Sequence, residues 1–147
     1  MATFTNPIAN IRAFNRFYTD IIGLLDRHLL HSRYSLAEAR IIYEISVGEN
    51  LQASQIMTAM HIDKSYLSRL LKKLEKEGLI IKKPSEQDAR AMFISLTAKG
   101  LREFNILNKA SDEQISAMTT GLKASDQQQL VNHMNAIMNI LTKTAII

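Results

Sequence analysis

The sequence has no cysteine and no tryptophan, and its 147 residues include only five glycines and two prolines. Without cysteine, the chain has no disulfide bond, no thiolate metal ligand, no cysteine nucleophile and no thiol redox sensor, and it fits a reducing compartment. Glycine and proline are the residues that most often end a helix, so their scarcity favours long helices. We therefore expect one mostly helical domain.

Long apolar runs and enzyme motifs are also missing. No run approaches the roughly 20 apolar residues of a membrane span, and the N-terminus lacks the charged-then-apolar order of a signal peptide. The sequence therefore predicts a cytoplasmic protein without membrane contact. It contains neither a glycine-rich phosphate loop nor a recognisable nucleophile with its base, so we expect no enzymatic activity and no cofactor.

Positive charge is concentrated in one stretch of the chain, whose overall net charge is +4. Residues 61–102 contain ten basic and five acidic side chains, a net charge of +5, whereas the other 105 residues have a net charge of −1. Such a local excess is typical of a surface that binds phosphate groups, although a solvated charged face gives the same count. The pattern within the stretch has to decide between the two.

Apolar spacing and capping residues predict four helices, a β-hairpin and two further long helices. The hairpin joins the β-prone runs LIIKK and AMFISL through the turn-forming PSEQDAR. Gly48 and Gly78 end the second and fourth helices. The first helix starts at Pro7, the third covers about Ala53 to Met60 and the fifth about Ala98 to Thr120. The expected N-caps are Ser35 (a capping box with Glu38), Asp63, Thr97 and Ser125.

The fourth predicted helix has two different faces. Its leucines, Leu67, Leu70, Leu71 and Leu74, share one face, and Ser65, Arg69, Lys72 and Lys76 lie opposite. The basic face has no i,i+4 acidic partners that would neutralise it. With the short helix before it, this segment forms a helix-turn-helix, whose second helix enters the major groove.

We therefore expect residues 64–72 to read bases. Arg69 suits bidentate contact with guanine, and Ser65, Tyr66 and Ser68 are placed to reach bases or phosphates. We expect Lys72, Lys73 and Lys76 to neutralise phosphates. The complete set of predicted DNA contacts is Lys64, Ser65, Tyr66, Ser68, Arg69, Lys72, Lys73, Lys76, Lys82, Lys83, Asp88 and Arg90.

The hairpin supplies the last four of these. Arg90, at the turn, is the expected probe of the adjacent minor groove, and Lys82 and Lys83 are expected along the backbone. Asp88 would repel phosphate if it were free. It is instead expected to orient Arg90 or to pair with a basic side chain of a neighbouring helix.

Together these motifs resemble the MarR family of winged-helix regulators over nearly the whole chain. The resemblance rests on DKSYLSRLLKKLEKEGLI, then the D-x-R of Asp88 and Arg90, then the L-T-x-x-G of Leu96, Thr97 and Gly100. The upstream stretches IRAFNRFYTDIIGLL and YSLAEARIIYEI look more like the regulator half of fusions between a MarR domain and a GNAT acetyltransferase.

The resemblance implies a mainly α fold with a small β-hairpin wing, in one domain covering residues 1–147. A DNA-binding lobe of about residues 35–97 would be carried by dimerisation helices of about 7–32 and 98–145, and the apolar end at residues 145–147 would need a partner surface. The implied function is a homodimeric repressor on a pseudo-palindromic operator, released by a small aromatic or anionic effector. By motif position, residues 64–73 and Arg90 would contact double-stranded DNA.

Two weaker site hypotheses compete with structural explanations. His28 and His31, at i and i+3, are metal-ligand types, but no third histidine completes a site, so we expect no metal. Tyr18 and Tyr43 are candidates for an effector pocket, although aromatic residues at helical spacing more often belong to a core. His61 and His133 are expected to have structural positions in a turn and on the dimer surface.

Two functions remain open from the sequence. The first is a sequence-specific transcription regulator. The second is a winged-helix protein-interaction module, or a partner of a separately encoded acetyltransferase. DNA affinity that falls steeply with salt favours the first, and affinity that is insensitive to salt favours the second.

Overall fold

The computed structural model describes residues 6–29 and 33–143, without the side chains of residues 25–29. Over these ranges the chain is mostly helical with one two-stranded antiparallel sheet, so the predicted fold class and element order are confirmed. The elements are α1 Pro7–Leu29, α2 Leu36–Val47, α3 Ala53–Met60, α4 Lys64–Lys76, β1 Ile80–Pro84, β2 Met92–Leu96, α5 Ala98–Thr119 and α6 Ala124–Thr142.

The hydrophobic core lies between α2, α3, α4 and the hairpin, with one residue from α5. Each leucine or isoleucine that is fully buried there stabilises the fold by about 1.5–3 kcal/mol. The predicted apolar face of α4 points into this core, because Leu67, Leu71 and Leu74 are buried and Leu70 is half-buried. The core aliphatic residues are Ile41, Ile42, Ile45, Ile56, Leu67, Leu71, Leu74, Leu79, Ile80, Ile94 and Leu107.

The hairpin pairs Ile80 with Leu96 at its base and Pro84 with Met92 at its far end. The seven-residue loop between them is closed by a hydrogen bond from Ser85 N–H to Ala91 O, at 2.8 Å. Leu51 adds one bridge to β2, because Ile94 N–H donates to its carbonyl at 2.8 Å. The sheet is thereby tied to the segment between α2 and α3.

The predicted N-cap residues are more often at the predicted position than in the predicted hydrogen bond. Ser35 caps α2 as predicted, since its hydroxyl oxygen accepts from Glu38 N–H at 3.1 Å. The reciprocal bond of the capping box is absent, because the Glu38 carboxylate accepts from the Ser35 hydroxyl and from Lys73 instead. Asp63 occupies the N-cap of α4 with extended backbone, but its side chain makes no capping hydrogen bond.

The predicted start of α6 at Ser125 is wrong by two residues. The N-cap is Lys123, with extended backbone and no side-chain capping bond, so Ser125 lies inside the first turn. The tight turn before it is held by Gln127, whose side-chain N–H groups donate to Thr119 O at 3.0 Å and Leu122 O at 3.2 Å. The amide side chain therefore stabilises this turn in place of a hydroxyl cap.

The C-terminal end of α4 is fixed onto the start of α5. Gly78 has a positive φ of 77°, which allows Leu79 N–H to bond back to Leu74 O at 3.0 Å. Thr97 then binds this turn twice, by its hydroxyl to Gly78 O at 2.6 Å and by its N–H to Leu79 O at 3.0 Å. We call the contact of residues 77–79 with residues 97–100 the α4–α5 junction.

None of the helices described for residues 6–29 and 33–143 is both long and apolar enough to cross a membrane.

Candidate nucleic-acid interface

The polar face of α4 is open to solvent. Helical periodicity places every predicted contact residue of α4 outside the core, and the structure confirms their exposure while the leucines are buried. No side-chain capping bond covers the first amides of the helix. These N–H groups, together with the positive end of the helix dipole, favour an anion at the N-terminus of α4. The exposed residues are Lys64, Ser65, Tyr66, Ser68, Arg69, Lys72, Lys73 and Lys76.

Within the described residues, ion pairs leave most of this basic surface unneutralised. Three pairs are present there: Arg33 with Glu77, Arg40 with Glu44, and Lys73 with Glu38. Of the basic side chains on α4 and the hairpin, only Lys73 is among them. The other cations of this surface remain available to phosphate.

Lys73 points toward α2 and differs from its neighbours for that reason. Its Nζ donates to Glu38 Oε1 at 3.0 Å, and Glu38 exposes only 5% of its surface. The hydrogen bond and the negative charge of Glu38 raise the pKa of Lys73 above its ordinary value. Lys73 therefore compensates a buried carboxylate, and we leave it out of the proposed DNA contacts.

Sequence reasoning missed the role of Glu38. The two partners are 35 residues apart, and no local spacing rule links them. The only available signal is the place of Glu38 among the apolar residues of α2, which puts a carboxylate near the core and predicts a cationic partner.

Arg69 is held by a neighbouring ring. Its Cζ atom lies 5.6 Å from the centroid of the Tyr66 ring, within the range of a cation–π contact. Both side chains are on the exposed face of α4. The predicted base-reading residue is therefore in contact with another member of the predicted set.

At the tip of the hairpin, Asp88 and Arg90 are joined through the main chain. Asp88 Oδ1 accepts from Arg90 N–H at 3.0 Å, and Asp88 O accepts from Ala91 N–H, also at 3.0 Å. Of the two predicted roles for Asp88, the structure favours orientation of the Arg90 segment. No ion pair of Asp88 with a neighbouring helix is present in the described residues.

Arg90 is exposed at this tip, and the two strand lysines differ in burial. Lys83 is exposed, whereas Lys82 is half-buried opposite Ile94. Side chains alternate along a strand, so Lys82 shares the inner face with Ile80. Lys83 is therefore the more exposed of the two lysines.

The tyrosines proposed for an effector lie on different helices, Tyr18 on α1 and Tyr43 on α2. Tyr18 stacks on Phe14 with the ring centroids 5.6 Å apart, and Tyr43 is half-exposed on α2. A groove of about 600 Å³ lies instead between α1 and α5, and neither tyrosine lines it. The groove residues are Ile21, Leu24, Ala110, Glu113, Gln114, Ala117 and Met118.

His31 and the side chain of His28 lie outside the described residues, as do residues 145–147. Within the described part of the chain, no group of three or more histidine, aspartate or glutamate side chains is placed to hold a metal ion. His61 adopts a left-handed conformation and ends α3 through its N–H, which donates to Met57 O.

Comparison with known proteins gives consistent similarities. A sequence model described as "MarR family" matches residues 24–91. The HTH-type transcriptional regulator SarZ of Staphylococcus epidermidis is 29% identical over 103 residues, covering 70% of this chain and 66% of SarZ. The organic hydroperoxide resistance transcriptional regulator of Bacillus subtilis is 30% identical over 93 residues, covering 63% and 60% of the two chains. The chain thus spans slightly less than two thirds of these relatives.

The fold has close structural counterparts. Streptococcus pneumoniae FabT, solved in complex with DNA, superposes with a TM-score of 0.79 at 18% identity, covering 94% of this chain and 99% of that chain. At this identity the superposition shows a shared fold.

Proposed function

We propose that the chain, as a member of the MarR family of winged-helix transcriptional regulators, whose sequence model matches residues 24–91, binds double-stranded DNA in a sequence-specific manner and regulates transcription. The observation that carries the proposal is the exposed face of α4. There Arg69, Lys72 and Lys76 make no ion pair with any described residue, while the leucines of the opposite face are packed in the core.

Each element has a distinct task in this proposal. The first two turns of α4 enter the major groove, where Arg69 donates to guanine and Ser65 and Ser68 bind bases or phosphates. Lys64, Lys72 and Lys76 neutralise phosphates. Arg90 inserts into the adjacent minor groove, with its main chain set by Asp88, and Lys82 and Lys83 follow the backbone.

We further propose that the functional unit is a homodimer. In the isolated chain, α6 has no buried residue although it is rich in apolar side chains. Exposed apolar residues on α1 and α5 extend this surface, and a second copy is the partner that would cover it. Two lobes related by a twofold axis would read half-sites about 34–36 Å apart. The exposed apolar residues of α6 are Val131, Ile137, Met138, Ile140 and Leu141.

Repression relieved by an effector is the regulatory part of the proposal. The groove between α1 and α5 has a volume of about 600 Å³, and it is lined mainly by apolar side chains with Glu113 and Gln114 as polar groups. A small aromatic molecule is of suitable size for such a space. Tyr18 and Tyr43 remain candidates for effector contact.

Two substitutions separate base reading from phosphate binding. Arg90→Ala is expected to weaken operator binding by about 1–3 kcal/mol and to reduce sequence preference, because a groove contact is lost. Lys76→Ala is expected to weaken binding to all duplexes equally and to lower the log–log salt slope by about 1. Lys109→Ala, an exposed lysine on α5, is the matched control.

Fluorescence anisotropy over a range of salt concentrations measures both effects. An Arg90→Ala variant with unchanged affinity and preference would show that the wing assignment is wrong. Wild-type affinity that does not change with salt would contradict DNA binding and favour the alternative, a protein-interaction module or a partner of an acetyltransferase.

A further inference from the structure

We propose that Tyr66 is a positioning residue that acts through Arg69: its ring holds the Arg69 guanidinium ready to recognise a base. This inference rests on the proposed DNA-binding function and deepens it. Tyr66 lies three residues before Arg69 on α4, so the two side chains share one face of the helix. Their contact, 5.6 Å from Cζ to ring centroid, is formed without DNA.

A ring contact leaves the guanidinium donors free. Arg40, by contrast, donates its Nε–H to Glu44 at 2.7 Å and therefore has part of its donor capacity occupied. Arg69 makes no ion pair with any described residue, and the attraction to the face of Tyr66 uses none of its five N–H groups. The side chain is thus restrained and still able to form a bidentate bond with guanine.

The restraint matters more for specificity than for overall affinity. A free arginine on an exposed helix loses many rotamers when it binds, whereas one held by a ring has lost part of that entropy beforehand. A guanidinium that is already positioned binds more tightly only to a base that presents two acceptors in the matching geometry. Phosphate contacts made by the lysines of α4 do not depend on it.

The test is a double-mutant cycle in which the measured quantity is the ratio of the affinities for the operator duplex and for a scrambled duplex. Tyr66→Phe keeps the ring and removes the hydroxyl, whereas Tyr66→Leu removes the ring and retains apolar bulk on an exposed position. Each change is made in the wild type and in Arg69→Ala. Affinities for the operator duplex and a scrambled duplex are measured at matched salt.

We expect Tyr66→Leu to reduce the operator preference about 2- to 5-fold, as an exposed cation–π contact predicts, and Tyr66→Phe, which retains the ring, to reduce it by less. In the Arg69→Ala background, Tyr66→Leu should have no further effect, and the salt slope should be the same in all Tyr66 variants. A loss that persists without Arg69, or one that Tyr66→Phe reproduces, would overturn the inference because Tyr66 would then contact DNA itself.

A second measurement needs no DNA. Nitrogen-15 relaxation of the Arg69 Nε–H reports its mobility in the free protein. Tyr66→Leu should increase this mobility and Tyr66→Phe should not. Equal mobility in all three proteins would overturn the inference, while normal operator binding would leave the proposed function intact. Wild-type protein that binds both duplexes equally would instead contradict the proposed function, whatever the mobility of Arg69.

Discussion

At the scale of single residues, the pair of Glu38 and Lys73 shows how a charge is accommodated in the core. A buried carboxylate without a cation is strongly destabilising, because it loses its hydration. Here Lys73 Nζ supplies the compensation at 3.0 Å from the α4 side, while about half of its own side chain stays exposed. The pair therefore fixes the last turn of α4 against the first turn of α2, and with it the orientation of the residues proposed to read DNA.

Lys73→Met is expected to lower the urea midpoint of unfolding at neutral pH, because Glu38 stays buried without its cation. Glu38 raises the pKa of Lys73 above 10.5 in the folded protein. Since the folded pKa is above the unfolded one, the stabilisation is complete below about pH 10.5 and is lost as the pH rises through the folded value. The difference between wild type and variant should therefore shrink in strongly alkaline solution.

The matched control is Lys72→Met, which removes an exposed lysine without an ion pair in the described residues. Urea unfolding followed by circular dichroism across pH measures both variants. If Lys73→Met is no less stable than Lys72→Met, the compensating role of Lys73 is wrong.

The residues of the α4 surface were predictable to different degrees. Periodicity alone places Arg69 and Lys72 opposite the buried leucines, and the structure agrees. The prediction groups Lys73 with Lys72 and Lys76 as a phosphate contact, because local spacing cannot detect a carboxylate that arrives from another helix. The Arg69–Tyr66 contact follows the i,i+3 spacing, so it could be predicted from the sequence. The side-chain rotamers that form it could not.

At the scale of elements, the α4–α5 junction explains why threonine and glycine stand where they do. Thr97 caps α5 through Gly100 N–H at 3.0 Å while its hydroxyl also donates to Gly78 O. Lys99 Nζ donates to Glu77 O at 3.0 Å, so a cation sits at the C-terminal end of α4, where the helix dipole favours it. The two helices α4 and α5 are thus joined by several bonds at one point.

Gly100→Ala is expected to destabilise the protein by about 1–3 kcal/mol, the usual cost of overpacking. A Cβ at this position would lie 2.0 Å from Leu79 O, so the main chain itself must move. Gly23→Ala is the control, since nothing lies within 4 Å of a Cβ there and α1 should gain helix propensity. Thermal unfolding of both variants is the measurement, and a Gly100→Ala protein as stable as the wild type would contradict the tight contact.

The elements themselves were largely predictable. Gly48 and Gly78 mark the ends of α2 and α4, the leucine spacing defines α4, and the turn residues define the hairpin. The start of α6 was predicted wrongly, because serine is a common N-cap residue and the sequence therefore favours Ser125. The hydrogen bonds that Gln127 makes back across the turn have no simple sequence signature. Asp63 was placed correctly, but whether its carboxylate would bond to the helix depends on local geometry that sequence does not specify.

At the scale of the whole molecule, the chain contains a well-buried lobe and an unburied helix. The core residues come from α2 to α5 together with Tyr34, whereas α6 contributes none of them. A monomer with this surface would expose a long apolar stripe, which soluble proteins avoid unless the stripe is a binding surface. This imbalance is the structural support for a proposed homodimer.

Ile140→Glu is expected to convert the proposed dimer to monomer without unfolding the lobe. Ile140 is 60% exposed in the single chain, so the charge harms only an interface that buries it. Asn135→Glu, which adds the same charge at an exposed polar position of α6, is the control. Sedimentation velocity measures the mass, and circular dichroism the fold. A variant that remains dimeric, or a wild type that is monomeric, would contradict the assignment of α6.

The most direct test of the whole account is a comparison of two DNA duplexes at matched salt. The purified protein is titrated by fluorescence anisotropy against a duplex from its own upstream intergenic DNA and against a scrambled duplex of the same composition. We predict binding to the upstream duplex that is tighter by about 10³-fold or more, as for specific readers of DNA. Equal and weak binding to both would contradict self-regulation by sequence-specific recognition through α4.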